Sequence, residues 1–382
     1  MNGMQALAKS EIRIMTELCD RAGGINLSQG VCDMPLPPGL KDQACAAIHA
    51  GQNHYTAHDG IPELKQAVAN KLRYYNGIAA DPNGGIVVTC GASGAFCSAC
   101  MALLEPGSQM ILFEPFYGYH LYTLQVLGIE PVLAELSPPD WTFDADKVEN
   151  LVTPQTRAIL VNTPVNPTGK VFTQEELERL ADICIRHDLL VFTDEIYEYF
   201  VYDGKRHISP GSVPALRDRT VTISGFSKTF SITGWRIGYC SCAPELAKLV
   251  GYASDLVYVC APAPMQAAVA SVLPELPQIH YEQLRSQYQA KRDRMCEGLS
   301  LAGFSPHVPQ GAYYILADAS FVPGETSKEK AMRVLNTTGV AVVPGSAFCT
   351  EGRGETLVRV CFAKVDRVLD EACERLQRLK HH

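Results

Sequence analysis

Five short stretches of this 382-residue sequence carry side chains whose type and spacing can do chemistry. SGFSKTFSITGWRIGY (224–239) sets one lysine, Lys228, among Gly, Ser and Thr, with Arg236 eight residues later. A lysine in a turn between buried elements loses its proton more easily than one in water, and it can then attack a carbonyl to form a Schiff base. The planar guanidinium of Arg236 suits a phosphate. The plainer reading of the pair is a basic surface loop.

The other four stretches follow strand-like runs or lie within one. TCGASGAF (89–96) is a small-residue loop between a strand and a helix, where backbone N–H groups favour an anion and Ser93 adds a hydroxyl. It matches neither the Walker nor the Rossmann spacing, and it also reads as a tight strand-to-helix turn. In NTPVNPTGK (162–170), Asn166 sits between two prolines that stiffen the backbone around an amide. FTDEIY (192–197) ends an apolar strand at Asp194, with Tyr197 three residues on. That carboxylate reads either as a helix N-cap or as a fixed charge that keeps a nearby base protonated. Arg359, inside LVRVCFA, must find an anion if buried, either a structural Asp or Glu or a ligand carboxylate. Jointly these make a phosphate cradle, a Schiff-base lysine, a charge for a ring nitrogen and a carboxylate clamp. The set fits pyridoxal 5'-phosphate and an amino acid.

These groups need elements to hold them. Strands are expected at GIVVT (85–89), MILFE (110–114), AILVN (158–162), LLVFT (189–193) and TVTIS (220–224), with a strand-like RIGY run opening at Arg236. Helical patterns lie between them. TQEELERLADICIRHD shows capping-box spacing at Thr173 and Glu176. Strands alternating with helices imply an α/β fold with a mostly parallel sheet flanked by helices, and ligands then bind outside the carboxyl ends of the strands. Beyond about residue 280, a long polar helix precedes AYYILAD, VAVV and LVRVCFA, and the helix DRVLDEACERLQRL ends the pattern. The expected domains are a large one over 41–280 and a smaller α+β one over 281–382, with residues 1–40 packing onto the smaller.

Composition narrows the function classes. A hydrophobic content of 47% with 19% charged residues fills an ordinary globular core. A net charge of −8 argues against nucleic acid or an anionic membrane as partner, but it allows a local cationic pocket. No apolar run reaches the roughly 18 residues of a membrane span, and the first residues lack a signal-peptide core, so a cytoplasmic protein is expected. The 14 cysteines are scattered, mostly in apolar runs, and read as buried small hydrophobes. Cys97 and Cys100 form a C-x-x-C without the second pair a zinc site needs, so no metal is expected. His381 and His382 read as a tag remnant.

With these residues in view, the chain resembles the class I/II pyridoxal-phosphate aminotransferases of fold type I. The resemblance runs from INLSQGVCDMP through HYTAHDGIPELKQAV and SKTFSITGWRIGY to VAVVPGSAF and LVRVCFA. It implies a seven-stranded sheet in the large domain and a smaller domain built from both termini. It also implies that Lys228 holds the cofactor as an aldimine, that Asp194 bonds the pyridine nitrogen, and that Tyr197 and Asn166 flank the phenolic oxygen. Tyr117 would stack on the ring. The Ala92 N–H, Ser93 and Arg236 would hold the phosphate, and Tyr55 would reach the phosphate of a neighbouring subunit in a homodimer with shared sites. Arg359 would bind the substrate α-carboxylate, helped by Asn166 and the Gly30 backbone. Three places depart from the pattern. Gly225 stands where many relatives have a phosphate-binding serine, leaving Ser224 or Ser227 to substitute. Cys32 stands where proline is common. A lysine that some acidic-substrate members carry near Ser93 is missing, which argues against a dicarboxylate-only specificity.

The implied reaction moves an amino group from an L-amino acid to a 2-oxo acid by a ping-pong sequence, with Lys228 as general base. A carbon–sulfur β-lyase or other carbanion chemistry uses the same cofactor set. A ligand-sensing regulator would carry an N-terminal DNA-binding domain, which an acidic chain with its core starting near residue 25 does not suggest. Tyr117, Tyr119 and Tyr122 cluster near the expected pocket, and the substrate stays open among aspartate, aromatic amino acids, methionine and glutamine.

Overall fold

The structure is a computed structural model that describes residues 10–350 and 352–381. Residues 1–9 of the expected N-terminal segment, and His382, lie outside the described residues. The strands are β1 (Ile25–Asn26), β2 (Ile86–Cys90), β3 (Gln109–Glu114), β4 (Glu130–Glu135), β5 (Thr156–Asn162), β6 (Leu190–Asp194), β7 (Thr220–Gly225), β8 (Ile237–Ser241), β9 (Ser305–Pro306), β10 (Tyr314–Asp318), β11 (Val340–Ala341), β12 (Val343–Pro344) and β13 (Leu357–Cys361). The helices that matter most for the site are α1 (Glu11–Ala22), α2 (Leu40–His49), α3 (Pro62–Lys71), α4 (Gly91–Leu103) and α5 (Gly118–Val126).

Strands β2 to β8 form one seven-stranded sheet in the order β2-β8-β7-β6-β5-β3-β4. The pairs from β7 through β6, β5 and β3 to β4 are parallel, whereas β8 runs antiparallel to both β7 and β2. Each central strand is apolar on both faces because helices cover both. On β5, Ala158 and Leu160 pack with Phe96, Leu112 and Phe192, while Ile159 and Val161 pack with Ile111, Phe172 and Leu177 on the other side. The helix Gln174–Arg186 starts with the expected capping box. Thr173 Oγ1 accepts from the Glu176 N–H at 3.2 Å, and Glu176 Oε2 accepts from the Thr173 N–H at 2.9 Å.

The sequence reading placed no strand at β4. That strand is the sheet edge, carries Pro131 and is only half buried, so it lacks the continuous apolar run of its neighbours. The VAVV run, expected as one piece, divides at Val342: Val340–Ala341 pairs with β1, and Val343–Pro344 pairs with β13. The second sheet is antiparallel, in the order β12-β13-β10-β9. The parallel pairing of β1 with β11 joins the N-terminal residues to it, and Met15 and Cys19 of α1 are buried in the same core as Val340, Val342 and Val358. Among the described residues, no helix is long and apolar enough to cross a membrane.

The topology gathers the functional stretches at one end. In-register pairing of β5 with β6 sets Asn162 beside Asp194 at the carboxyl ends of both strands. Because β8 returns antiparallel from β7, residues 226–236 form a connection at that same end, and this connection carries both Lys228 and Arg236.

Candidate active site

Ten of the eleven residues singled out from the sequence line one cavity of about 410 Å³: Gly30, Ala92, Ser93, Tyr117, Asn166, Asp194, Tyr197, Lys228, Arg236 and Arg359. The eleventh, Tyr55, is elsewhere. It is 83% exposed and borders a second cavity with Gln43 of α2, His54 and Ala267.

Lys228 Nζ donates to the Gly30 carbonyl oxygen at 3.0 Å and lies 5.9 Å from the centroid of the Tyr313 ring. Burial pushes its ammonium below the ordinary lysine value, which favours the neutral amine a nucleophile needs. Gly30 must be bare, since a Cβ there would lie 1.9 Å from the Tyr314 hydroxyl oxygen. Cys32, in the place where proline was expected, is buried and donates its Sγ to the Lys228 carbonyl oxygen at 3.7 Å. Desolvation raises its thiol pKa, so it packs as a neutral group against the lysine turn.

Asp194 closes β6, and its buried carboxylate makes two contacts. Oδ1 accepts from the Ile196 N–H at 3.2 Å, and Oδ2 lies 2.9 Å from His120 Nε2. No helix follows Asp194, so the N-cap alternative does not hold; Oδ1 fixes a turn instead. Tyr117 presents its ring 5.2 Å from that of Tyr119 and edge-on to His120 at 5.3 Å. Tyr197 is buried, with its hydroxyl 3.0 Å from that of Tyr314, and burial lifts its phenol well above the usual tyrosine value.

Arg359, 1% exposed, is held at the other end. Nη1 donates to Asn166 Oδ1 at 2.9 Å and Nη2 to the Ser28 carbonyl oxygen at 2.6 Å, while the guanidinium carbon lies 4.1 Å from the Tyr314 ring centroid and 4.7 Å from that of Phe348. Its buried Nε has no partner, and among the described residues no carboxylate pairs with it. The structural Asp or Glu allowed by the sequence is therefore not found, and a buried cation remains oriented for an anion.

The third part of the cavity lies between the start of α4 and Arg236. β2 passes directly into α4, so Ala92 and Ser93 occupy the first helical turn rather than a loop. Gly238 lets the backbones meet: a Cβ there would lie 2.4 Å from Gly91 C and 2.5 Å from Ala92 N. Arg236 adopts φ +59° and turns back across the connection, outside β8. Its Nη1 donates to the Thr233 carbonyl oxygen at 3.0 Å and to Ser227 Oγ at 3.4 Å, and Nη2 donates to the Cys90 carbonyl oxygen at 3.3 Å. The two candidate serines now separate. Ser224 Oγ is buried and donates to Glu198 Oε1 at 2.7 Å, away from the cavity, whereas Ser227 lines it beside Arg236. Gly225 also has a cause: a Cβ would lie 2.8 Å from Gly238 Cα and 3.0 Å from the Ile237 carbonyl oxygen, so the strand pair excludes a serine.

Sequence reasoning missed His120, Tyr313, Tyr314 and Ser28. His120 lies three residues beyond Tyr117 in EPFYGYH, and the rigid aromatic run was its one signal. Tyr313 and Tyr314 sat inside AYYILAD and read as strand filler. All 14 cysteines are free, six of them buried, and Cys97 and Cys100 lie on α4.

Residues 22–376 match the family model for aminotransferase class I and II. A probable N-succinyldiaminopimelate aminotransferase from Mycobacterium tuberculosis is 37% identical over 374 residues, covering 95% of this chain and 94% of that protein. The kynurenine–oxoglutarate transaminase 3 of Rattus norvegicus is 35% identical over 389 residues, covering 94% of this chain and 86% of its own. The solved N-succinyldiaminopimelate aminotransferase from M. tuberculosis superimposes with a TM-score of 0.96 at 36% identity, covering 99% of both chains. With the fold and the site described above, these matches show that the chain belongs to the class I and II aminotransferases.

Proposed function

We propose that this chain is a pyridoxal 5'-phosphate-dependent amino acid aminotransferase with Lys228 as its Schiff-base residue and base. The observation that carries the reading is the joint placement of Lys228, Asp194, Arg236 and Arg359 in one cavity. The residues fit the cofactor. The first turn of α4, Ser227 and Arg236 form a cradle for a dianionic phosphate. Asp194 is a buried carboxylate at a strand end, bonded through only one oxygen to His120, and it suits a protonated ring nitrogen. Tyr117 offers a ring face, and the unpartnered Nε of Arg359 marks where a substrate carboxylate completes the hydrogen bonds.

The bound cofactor supplies an aldehyde that takes up the amino group and a ring that withdraws electrons from the substrate Cα. The protein positions the chemistry. Arg359 and Asn166 fix the α-carboxylate, and with it the Cα–H bond, toward Lys228. Lys228 Nζ, whose ammonium form burial disfavours, takes the Cα proton. Asp194, oriented by His120, keeps a positive charge on its ring partner. Tyr197 and Tyr314 present hydroxyls over the same space. Donor and acceptor use one site in turn, so ping-pong kinetics are expected.

The domain limits read from the sequence, 41–280 and 281–382 with residues 1–40 on the smaller unit, belong to this proposal, supported by the separate sheets. So does a homodimer with shared sites. Leu256 is 82% exposed and Val257 51%, and Tyr55 lies out of its own chain's cavity, as a residue serving a neighbour would. Fourteen free thiols favour a reducing compartment such as the cytoplasm. A screen of amino donors against 2-oxoglutarate and pyruvate tests the reaction. Parallel initial-rate lines and a stoichiometric 2-oxo acid product support transfer, whereas pyruvate and ammonia released from cystathionine without an acceptor identify elimination.

A further inference from the structure

Tyr314 opens β10, and its hydroxyl oxygen lies 3.0 Å from that of Tyr197 in the wall of the Lys228 cavity. Both side chains are buried, and among the described residues neither hydroxyl has another hydrogen-bond partner. Tyr314 is fixed on its other sides too. It pairs with Cys361 of β13, so Arg359 is its diagonal neighbour on the same face, with the guanidinium carbon 4.1 Å from the Tyr314 ring centroid. Gly30 presses on the hydroxyl itself: a Cβ there would lie 1.9 Å from the Tyr314 oxygen and 2.9 Å from Cζ. The Tyr313 ring meets that of Tyr197 edge-on at 5.0 Å and that of Tyr314 at 4.8 Å.

Two hydroxyls carry two hydrogens, and only one of these can lie between the oxygens. If Tyr197 donates, its hydrogen is spent on Tyr314. If Tyr314 donates, the Tyr197 hydrogen stays free for a ligand in the cavity. Arg359 favours the second arrangement, because its cation lies over the Tyr314 ring and draws electron density from that phenol. Burial raises both phenols above the ordinary tyrosine value. At Tyr314 the Arg359 charge offsets part of the rise, whereas at Tyr197 the Asp194 carboxylate adds to it. The remaining titratable groups around the pair are Tyr117, Tyr313, Cys32, Cys361 and Lys228. Burial raises the phenols and thiols among them, so these stay neutral near pH 7. A hydroxyl that accepts a hydrogen bond also donates a stronger one.

We propose that Tyr314 is a positioning residue that donates to Tyr197, so that the Tyr197 hydroxyl is aimed, as a strengthened donor, at the phenolic oxygen of the cofactor. This deepens the aminotransferase reading and rests on it. A donor at that oxygen shares its negative charge and weakens its hold on the proton of the cofactor-linked Lys228 nitrogen. Tyr314 thereby helps to set the pH at which that nitrogen loses its proton, acting only through Tyr197.

The test is a pH titration of the cofactor absorbance in the holoenzyme, for wild type, Tyr314→Phe, Tyr197→Phe and the double variant. Tyr314→Phe keeps the ring on Arg359 and removes only the hydroxyl. It is expected to raise the midpoint by roughly half a unit, about threefold in the equilibrium constant. Tyr197→Phe removes the donor itself and is expected to raise the midpoint by roughly one unit or more. The double variant is expected to match Tyr197→Phe alone, because Tyr314 has nothing left to act through. Titration of the apoproteins with pyridoxal 5'-phosphate is expected to show a two- to threefold weaker affinity for Tyr314→Phe than for wild type. The inference is overturned if Tyr314→Phe leaves the midpoint where it is, or if it shifts the midpoint equally with and without the Tyr197 hydroxyl. Either result leaves the aminotransferase reading standing. A wild type that takes up no pyridoxal 5'-phosphate defeats that reading, and this inference with it.

Discussion

His120 Nε2 lies 2.9 Å from Asp194 Oδ2, and both side chains are buried at the carboxyl end of the seven-stranded sheet. The histidine comes from α5 and the aspartate from β6, so the bond fixes the direction in which the carboxylate meets the cavity. Replacing Asp194 with Asn keeps the shape and removes the charge. Amino transfer is expected to fall by at least about 10³-fold, roughly 4 kcal/mol of barrier. Replacing His120 with Asn leaves the charge but frees its orientation, and a loss nearer tenfold is expected. Single-turnover rates with one amino donor separate the two, and an equal loss in both variants contradicts the assignment of the charge to Asp194.

The serine question gives a second prediction. Ser227→Ala is expected to weaken cofactor binding about tenfold, measured by titrating apoprotein, with little change in the melting temperature of the apoprotein. Ser224→Ala breaks a buried bond to Glu198 and is expected to destabilise the fold by about 1–3 kcal/mol without changing cofactor affinity beyond that. Gly225→Ser is expected to destabilise by about 1–3 kcal/mol because its Cβ meets Gly238 and Ile237.

Arg359 yields a third. Arg359→Lys keeps a positive charge but loses the two-pronged hold on Asn166 and Ser28, so KM for every amino acid and 2-oxo acid is expected to rise by about 100-fold. Steady-state kinetics with a monocarboxylic and a dicarboxylic acceptor check this. A rise confined to one of them contradicts a clamp on the shared α-carboxylate.

The lowered pKa of Lys228 has a definite sign in stability. Its folded value lies below the ordinary 10.5, so between the two values the unfolded chain binds more protons than the folded one. Stability of the apoprotein attributable to this group therefore increases as pH rises toward 10.5 and is lost as pH falls through that window. The denaturation midpoint of wild type relative to Lys228→Met is expected to climb over the same range. A flat difference contradicts the burial-driven shift.

How far the sequence revealed this site follows from where each signal lies. Lys228, Asn166 and Arg236 sit in turns after strands and Asp194 ends one, where Gly, Pro and small polar residues mark local chemistry, and all four open into the cavity. His120 sits inside a helix, and Tyr313 and Tyr314 lie at the start of a strand, where an aromatic residue looks like core filler until tertiary pairing shows what it faces. β4 escaped notice for the opposite reason. Its residues are half exposed, and only pairing with β3 makes them a strand. The choice between Ser224 and Ser227 needed side-chain directions, since both stand within four residues of Lys228 in the sequence.

The central claim is that Lys228 carries the cofactor covalently. Borohydride reduction of the holoenzyme, followed by proteolysis and mass mapping, tests it most directly. The prediction is that the reduced pyridoxyl group is found on the peptide containing Lys228, and that Lys228→Ala yields no labelled lysine. Label on any other lysine, or an unchanged yellow cofactor band in Lys228→Ala, would contradict the assignment.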